Sequence, residues 1–184
     1  EAAATFSDDS PTYSDPDDPW GFTFSETKAR RAGGRLVVSH VAGANRVSVG
    51  ADYERTKVDN RDSYGVQLDG LTTRTWSVFA EDRLSLAADR VSVTAGVRRD
   101  ENDAYGSSTN PRVAVSWDVT AALKVRAAAG SAFRAPSTGE LYYPFSGNPA
   151  LQPERSVSWE AGAEWTFVPG LVLEASLFRT DVKD

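Results

Sequence analysis

Few residues of this chain carry side chains that could catalyse a reaction. It contains one histidine, His40, and no cysteine. A Ser-His-Asp site would have to use His40, and no GxSxG segment accompanies it. Glu160 and Glu164 share one face of a predicted strand, but four strand residues separate them by about 13 Å. That distance exceeds the roughly 6.5–9.5 Å between the carboxyl groups of inverting glycosidases. The sequence therefore does not predict an enzyme.

A second group of side chains could bind a metal ion. The segment SDDSPTYSDPDDPW offers carboxylate oxygens, which Ca²⁺ prefers as ligands, from Asp8, Asp9, Asp15, Asp17 and Asp18. Their spacing matches no EF-hand loop, and an acidic segment rich in Pro and Ser is also typical of a solvated loop. The sequence leaves both interpretations open.

A third group is aromatic. Tyr142, Tyr143 and Phe145 follow one another in a long segment, 135–153, that also carries four prolines. Aromatic rings in a long loop can stack on a flat ligand. The alternative is that they pack the loop against its surroundings.

The elements that must position these residues are β-strands. After this loop the side chains alternate, because Val157, Trp159, Ala161, Ala163, Trp165 and Phe167 point one way and Ser156, Ser158, Glu160, Gly162, Glu164 and Thr166 point the other. Similar alternation predicts strands near 24–42, 45–57, 72–86, 91–101, 110–119, 122–134, 154–168 and 170–183.

The predicted connections alternate in length. Short connections fall at 43–44, 87–90, 120–121 and 169, and long ones at 58–71, 102–109 and 135–153. Keeping this order requires 7–23 to be a long loop and 24–42 to be one strand, with Gly33-Gly34 as a bulge or kink. Short turns at one end and long loops at the other are typical of outer-membrane barrels.

The predicted strands have one apolar face. Examples are Val91, Val93, Ala95 and Val97, then Val113, Val115, Trp117 and Val119, then Leu171, Leu173, Ala175 and Leu177. Charged residues such as Arg98, Arg112 and Arg126 take the opposite face, and a charge on a lipid-facing surface would cost about 2–4 kcal/mol at the midplane. Asp82 breaks this pattern by sharing a phase with Trp76, Val78 and Leu84. It lies near a membrane rim, or a bulge shifts the phase there.

Composition limits the class of protein. The 184 residues carry a net charge of −6 and a sequence pI of about 4.9, which argues against a nucleic-acid partner. The sequence lacks an apolar run near the ~20 residues of a transmembrane helix. Its mean hydropathy of −0.41 is compatible with a β-barrel, whose strands are apolar on only one face.

Three segments carry a resemblance to a known family. FRAPSTGELYY, GNPALQPE and SWEAGAEW resemble the β-barrel domain of TonB-dependent outer-membrane receptors, and they are most similar to the branch that takes up cobalamin and iron–siderophore complexes. The matching motif residues are Phe133, Arg134, Pro136, Asn148, Pro149, Leu151, Pro153 and Glu154. As family features they are expected to be structural.

The resemblance implies an all-β fold, an antiparallel up-and-down transmembrane barrel segment of about eight strands from a barrel of about 22. Residues 1–184 would be part of that barrel domain, without the plug domain and the C-terminal strands. The implied function is uptake of a large scarce solute across the outer membrane, energised by the TonB complex through the plug. The implied partners are outer-membrane lipid, the plug, TonB and a small-molecule ligand, with Ca²⁺ ordering loops in some cobalamin receptors.

Two other functions stay open at this stage. A passive porin also sorts its loops by length, although it lacks the three segments above. A soluble β-sandwich binding module would use the apolar face as an inter-sheet core and would be monomeric without detergent. An open eight-strand sheet is instead expected to aggregate in plain buffer, because it exposes two edges and an apolar face.

Overall fold

The structure, a computed structural model, describes residues 1–19 and 23–183. The strands are β1 (Ala2–Asp9), β2 (Thr12–Asp15), β3 (Thr23–Ala42), β4 (Asn45–Asp62), β5 (Gly65–Leu86), β6 (Val91–Asn102), β7 (Gly106–Asp118), β8 (Leu123–Arg134), β9 (Glu154–Val168) and β10 (Leu171–Lys183). One short helix, α1 (Thr138–Tyr142), lies between β8 and β9. The described residues contain no helix long and apolar enough to cross a membrane.

All the strands form one antiparallel sheet in which neighbours in sequence are neighbours in space. The order is β1-β3-β4-β5-β6-β7-β8-β9-β10, and β2 also pairs with β3. Within the described residues β1 and β10 each have a single neighbour, so the sheet is open. This up-and-down order confirms the predicted fold class.

All eight predicted strands are present, and their pairing bears on two features that the sequence left open, the glycines Gly33-Gly34 and the phase of Asp82. Pairing of β3 with β4 runs through Gly33 and Gly34 without a register shift. The strand is therefore single, as predicted, and no bulge interrupts its pairing at Gly33-Gly34, whereas a kink there stays a prediction. Pairing of β5 with β6 is likewise unbroken around Asp82, which lies opposite Ala95. The side chain of Asp82 thus belongs to the apolar face, and no bulge shifts its phase.

The prediction of a loop at 7–23 was wrong at 7–9, 12–15 and 23, which lie in strands. β1 and β2 both pair with β3, interrupted at Ser10 and Pro11. Proline has no N–H to donate, but Pro11 still accepts a hydrogen bond from the backbone N–H of Thr27. Because β1 consists mostly of small and acidic residues, its sequence shows no clear alternation of apolar and polar side chains. Residues 20–22 of the predicted loop lie outside the described residues.

The predicted loops 58–71 and 102–109 are also mostly strand. β4 and β5 pair as far as Asp62 and Gly65, with register shifts around Asn60, and β6 and β7 pair as far as Asn102 and Gly106. These strand ends carry few apolar residues, among them Val58, Val66 and the buried Leu68, so period-two alternation in hydrophobicity is interrupted before pairing stops. In the described residues the long-connection end of the sheet therefore has two hairpins, β4–β5 and β6–β7, whose strands extend beyond the predicted limits. The segment 135–153 is a long loop, as predicted.

The sheet has almost no interior of its own. Leu68 and Leu141 are the buried apolar side chains among the described residues. Trp165, Leu173 and Val113 are each more than two-fifths exposed. A single layer with an uncovered apolar face is not the packing of a soluble sandwich, whose two sheets would bury that face.

Candidate functional site

The register places the apolar phases of neighbouring strands on one common face. Val93 lies opposite Val115, Val115 opposite Ala127, and Ala127 opposite Ala161. On β9 this face runs from Val157 to Phe167, ten residues or about 33 Å along the strand. A strand tilted by 35–45° projects that length onto roughly 25 Å, the height of the apolar band of outer-membrane barrels.

Aromatic side chains cluster near both limits of this apolar face. Trp165 and Phe167 make an edge contact near the short-turn end, with ring centroids 4.9 Å apart. Tyr53 and Trp76 lie 4.3 Å apart towards the opposite end. Rings at the two borders of an apolar belt are typical of the aromatic girdles that sit at membrane interfaces.

The opposite face carries charged side chains that neutralise one another. Asp52 on β4 accepts hydrogen bonds from Arg35 Nε at 2.7 Å and from Arg98 Nη1 at 2.6 Å. Arg98 Nε also donates to Asp100 Oδ1 at 2.8 Å, and Ser77 donates to the same oxygen at 2.6 Å. The network joins β3, β4, β5 and β6, so the charges are held against the wall.

Two further arginines lie flat across glycines of the neighbouring strand. Arg112 on β7 reaches Glu81 on β5, and its Nε lies 3.6 Å from where a Cβ of Gly96 on β6 would be. Arg126 on β8 reaches Glu174 on β10, and its Nε lies 3.2 Å from the corresponding position at Gly162 on β9. Each ion pair spans three strands because the middle residue has no side chain.

Glu160 and Glu164 lie on this polar face of β9, as predicted. Within the described residues neither forms a hydrogen bond or an ion pair. Glu160 lies opposite Ala128 on one side and Phe178 on the other. Both carboxylates nevertheless lie close enough to Arg126 on β8 to attract its guanidinium electrostatically.

His40 and Asp82 do not form a catalytic set. His40 is exposed on the apolar face of β3 and lies opposite Val47, which in turn lies opposite Asp82. Two strand spacings separate them by about 10 Å. Asp82 Oδ1 is buried and has no hydrogen-bond partner in the described part of the chain.

The predicted metal-binding carboxylates are not gathered at one place. Asp8 pairs with Arg30, 3.2 Å away, while Asp15 lies opposite Thr23 and Asp18 accepts a hydrogen bond from Thr23. Thr23 and Arg30 are seven residues apart on β3, so these two positions lie about 23 Å from each other. Asp9 is adjacent to Asp8 at the end of β1, and the backbone N–H of Asp17 donates to Asp15 Oδ1. Among the described residues, no three His, Cys, Asp or Glu side chains are grouped to hold a metal ion.

The motif residues Arg134 and Glu154 close the base of the 135–153 loop. Arg134 Nη2 donates to Glu154 Oε1 at 2.6 Å and to Glu140 Oε1 at 3.2 Å. Glu140 also accepts from the backbone N–H of Ser137 at 2.7 Å, and its own N–H donates to Ser137 Oγ. These bonds, the Ser137 amide first and Arg134 second, lower the pKa of Glu140 to about 2.

The remaining motif residues shape the same loop. Asn148 N donates to the carbonyl of Glu140 at 2.8 Å, and the Asn148 side chain accepts from Ala150 N at 3.0 Å. Pro136 and Pro153 are buried, Pro149 and Leu151 are exposed, and Phe133 contacts the ring of Tyr105 at 6.0 Å. A structural role for these motif residues stays a prediction.

Sequence reasoning missed helix α1, although a signal was present. Ser137-Thr138-Gly139-Glu140 has the S-x-x-E spacing of a capping box, and both reciprocal bonds of that box form. The helix buries Leu141, which is 2% exposed. It therefore gives the loop a small apolar centre of its own.

The three candidate ligand-contact aromatics behave differently. The Tyr143 hydroxyl donates to Asp62 Oδ2 on the β4–β5 hairpin at 2.7 Å. This bond lowers the pKa of Asp62, helped by the amide of Tyr64 and the side chain of Gln67, and raises the pKa of Tyr143. Tyr142 is half-buried. Phe145 is fully exposed, with a left-handed φ of 64° that is rare for a bulky residue.

The comparisons with known proteins agree on one family. The family model for the TonB dependent receptor-like β-barrel matches residues 2–184. The vitamin B12 transporter BtuB of Photobacterium profundum is 44% identical over 70 residues, 38% of this chain and 12% of the relative. An iron-regulated outer membrane virulence protein of Vibrio cholerae is 28% identical over 152 residues, 77% of this chain and 23% of the relative.

A solved structure supports the same fold. A mutant ferric enterobactin receptor of Pseudomonas aeruginosa, in complex with enterobactin, superposes with a TM-score of 0.74 at 26% identity. The alignment covers 90% of this chain and 29% of the receptor. The chain thus spans less than a third of the length of each of these proteins.

Proposed function

The chain belongs to the β-barrel family of TonB-dependent receptors, and on that premise we propose that it forms part of the wall of an outer-membrane receptor for active uptake of a large solute. The observation that carries the proposal is the division of the sheet into two faces. One face presents an uncovered apolar belt about 25 Å high. The other presents arginines and carboxylates that are already paired along the wall.

The two faces suit a wall between lipid and a filled lumen. Lipid chains would cover the belt and remove its exposed Trp, Val and Leu side chains from water. The arginines Arg35, Arg98, Arg112 and Arg126 need no counter-charge from solvent, because each is bound by a carboxylate of the same sheet. A domain that fills the lumen, the plug of this family, could then rest against a wall whose arginines are already neutralised.

The proposed cargo is cobalamin, an iron–siderophore complex or a solute of similar size. This proposal rests on the similar proteins, which are a vitamin B12 transporter, an iron-regulated outer membrane virulence protein and a ferric enterobactin receptor. The TonB complex would supply energy through the plug. TonB and the plug are both proposed partners.

Within the 135–153 loop, Phe145 is the best placed of the candidate ligand contacts. Its ring is free, while the Tyr143 hydroxyl is already bonded to Asp62. A siderophore or corrin ring could stack on Phe145 and on the half-buried Tyr142. Calcium binding by the segment from Asp8 to Asp18 stays a prediction, which a calcium titration of ligand affinity in the parent receptor would test.

Accessibility of single cysteines tests the proposal. The sequence has no native cysteine, so Val115, Trp159, Glu160 and Ala161 can each be replaced by Cys in the full-length parent in outer-membrane vesicles. We expect the three apolar-face positions to resist a water-soluble maleimide and position 160 to react or to become reactive when the plug is removed. Equal labelling of all four positions would contradict the wall assignment.

A conductance measurement on the parent separates the receptor from a passive porin. A receptor with a filled lumen is expected to be nearly closed, whereas a porin conducts through a water-filled channel. Uptake that requires TonB would support the receptor, and open conductance with TonB-independent uptake would overturn it.

A further inference from the structure

Two ionisable side chains interrupt the apolar face of the sheet near its short-turn end. Asp82 lies on β5, four residues before the strand ends at Leu86, and His40 lies on β3, two residues before Ala42. Both share the face of Val47 on β4, which lies opposite each of them. A charge on a lipid-facing surface is unfavourable, although less so near the membrane interface than at the midplane. The carboxylate of Asp82 therefore needs a partner.

The sheet supplies no such partner to Asp82. The neighbouring side chains on its face, across the strands and along β5, are all apolar: Val47, Ala95, Ala80 and Leu84. Asp82 Oδ1 is buried and has no hydrogen bond within the described residues. The adjacent Arg83 belongs to the opposite face, where its Nε donates to Ser92 Oγ at 3.0 Å. The charge of the Asp82 carboxylate is thus uncompensated by the described part of the chain.

His40 adds a hydrogen-bond donor on the same face. It lies two strand spacings from Asp82, about 10 Å away, with Val47 between them. The side chain is exposed and has no hydrogen bond or ion pair in the part of the chain that the structure describes. Imidazole donates an N–H in either protonation state, so it can bind a phosphate oxygen. An anionic acceptor and a donor thus flank one valine.

A small zwitterion matches this arrangement. A primary ammonium would donate to the carboxylate of Asp82, and a phosphate would accept from the imidazole of His40, each in a charge-assisted hydrogen bond. Phosphoethanolamine, the headgroup of phosphatidylethanolamine, carries these two groups joined by two carbon atoms. The acyl chains of such a lipid would lie along the apolar belt and remove it from water.

The depth of the pair also suits a lipid headgroup. The rings of Phe167 and Trp165, which mark the border of the belt, lie one and three residues from the short-turn end of β9. His40 and Asp82 lie two and four residues from the corresponding ends of their strands. Both ionisable groups are therefore at this border or just inside it, where the headgroup region of a bilayer adjoins its hydrocarbon core.

We propose that His40 and Asp82 form a site for the phosphoethanolamine headgroup of a phospholipid in the leaflet next to the short turns. The inference rests on the proposed function, because it needs this face of the sheet to meet lipid. The two side chains have separate roles. Asp82 recognises the ammonium, which phosphatidylcholine cannot donate from because its nitrogen is trimethylated. His40 binds the phosphate, which both lipids share.

Lipid retention by the full-length parent tests the two roles separately. The parent is released into detergent from vesicles of equal phosphatidylethanolamine and phosphatidylcholine, with EDTA present, and its bound lipids are counted by native mass spectrometry. We expect the wild type to retain the ethanolamine lipid in roughly tenfold preference, as for one hydrogen bond to a charged group. Asp82→Asn should bring this ratio close to one. His40→Leu should lower the retention of both lipids and leave their ratio unchanged.

Asp89→Asn is the matched control. Asp89 is exposed in the turn between β5 and β6, at the same end of the sheet, and its left-handed φ of 67° suits asparagine. The lipid ratio of this variant should equal that of the wild type. A wild-type ratio near one would overturn the site, and so would a preference that survives Asp82→Asn or is lost equally in Asp89→Asn.

An apolar carbodiimide gives a second measurement on the wild type. It condenses a carboxylate with a primary amine to form an amide and leaves as the corresponding urea, which has taken up the water. In vesicles that contain phosphatidylethanolamine, the β5 peptide should carry the lipid on Asp82. Glu81, the next residue and on the lumen face, should carry none. Absence of a lipid adduct on Asp82, or equal adducts on both carboxylates, would contradict the proposed contact.

Failure of this site and failure of the proposed function give different results. If cysteines at positions 115, 159 and 161 resist maleimide while the wild-type lipid ratio is near one, the wall assignment stands and the headgroup site is wrong. If those positions label as readily as position 160, the apolar face does not meet lipid and both proposals fail. Heat-modifiable gel mobility of the barrel checks that each variant is folded.

Discussion

Replacing Gly50 by alanine is expected to destabilise the wall through the ring of Phe79. A Cβ added at Gly50 would lie 2.3 Å from Phe79 Cζ, 2.6 Å from Cε1 and 2.8 Å from the carbonyl oxygen of Leu36. The ring cannot move freely, because Arg98 lies above it and is fixed by two carboxylates. Overpacking of this kind costs about 1–3 kcal/mol. Reduced freedom of the unfolded chain offsets about 0.4–1 kcal/mol of that, which leaves a net loss of about 1–2 kcal/mol.

Gly34→Ala supplies the matched control for this prediction. Gly34 lies on the neighbouring strand, and the nearest atom to its added Cβ would be the carbonyl oxygen of Ala3 at 3.8 Å. This is ordinary van der Waals contact, so the substitution is expected to be neutral or to stabilise by about 0.5 kcal/mol.

The assay is urea unfolding of the full-length parent in detergent micelles, followed by tryptophan fluorescence. Gly50→Ala should lower the midpoint with an unchanged m-value, whereas Gly34→Ala should not. In a Phe79→Leu background the cost of Gly50→Ala should fall, because leucine lacks the two ring atoms nearest the new methyl group. Part of the free-energy cost should remain, because the added Cβ would still lie close to the carbonyl oxygen of Leu36. The prediction would be refuted if Gly50→Ala and Gly34→Ala changed the urea midpoint equally. It would also be refuted if Gly50→Ala lowered the midpoint as much in the Phe79→Leu background as it does with Phe79 present.

Three further predictions concern the loop and the apolar face. Tyr143→Phe should raise the rate of protease cleavage within 135–153 by removing the hydroxyl that tethers the loop, whereas Tyr142→Phe should not; equal rates would show that the tether does not hold the loop. Because the pKa of Glu140 is lowered in the folded loop, its stabilising contribution is complete above about pH 4.5 and is lost as the pH falls towards about 2. Pepsin cleavage of the loop should therefore increase over that window, and Glu140→Gln should flatten the profile. Asp82→Leu should raise the urea midpoint in micelles by replacing a carboxylate whose Oδ1 has no hydrogen bond in the described residues; a lowered midpoint would reveal an undetected partner.

The sequence predicted the part of the fold that lies at membrane depth and did less well beyond it. Between the two groups of aromatic side chains, one face of the sheet must be apolar. Alternation such as that from Val157 to Phe167 therefore identifies both the strand and the face to which each side chain belongs. Outside those limits both faces meet water or protein, and no such constraint acts on β1, on Asn60 or on Val66. Strand pairing continued there through backbone hydrogen bonds, which hydrophobic patterning does not report.

The sequence predicted which residues belong to the candidate site, but not which hydrogen-bond and ion-pair partners they have. The family motifs pointed to Arg134 and Glu154, and the capping box was readable from Ser137 and Glu140. The bond from Tyr143 to Asp62 joins residues 81 positions apart and depends on a loop path that no local pattern determines. The ion pairs across three strands depend on register, which becomes known only when every hairpin turn is placed.

The glycines of the polar face explain how its long side chains are held. Gly50, Gly96 and Gly162 each leave space into which a neighbouring ring or guanidinium lies flat. Long side chains thereby run along the wall towards carboxylates and do not project into the lumen.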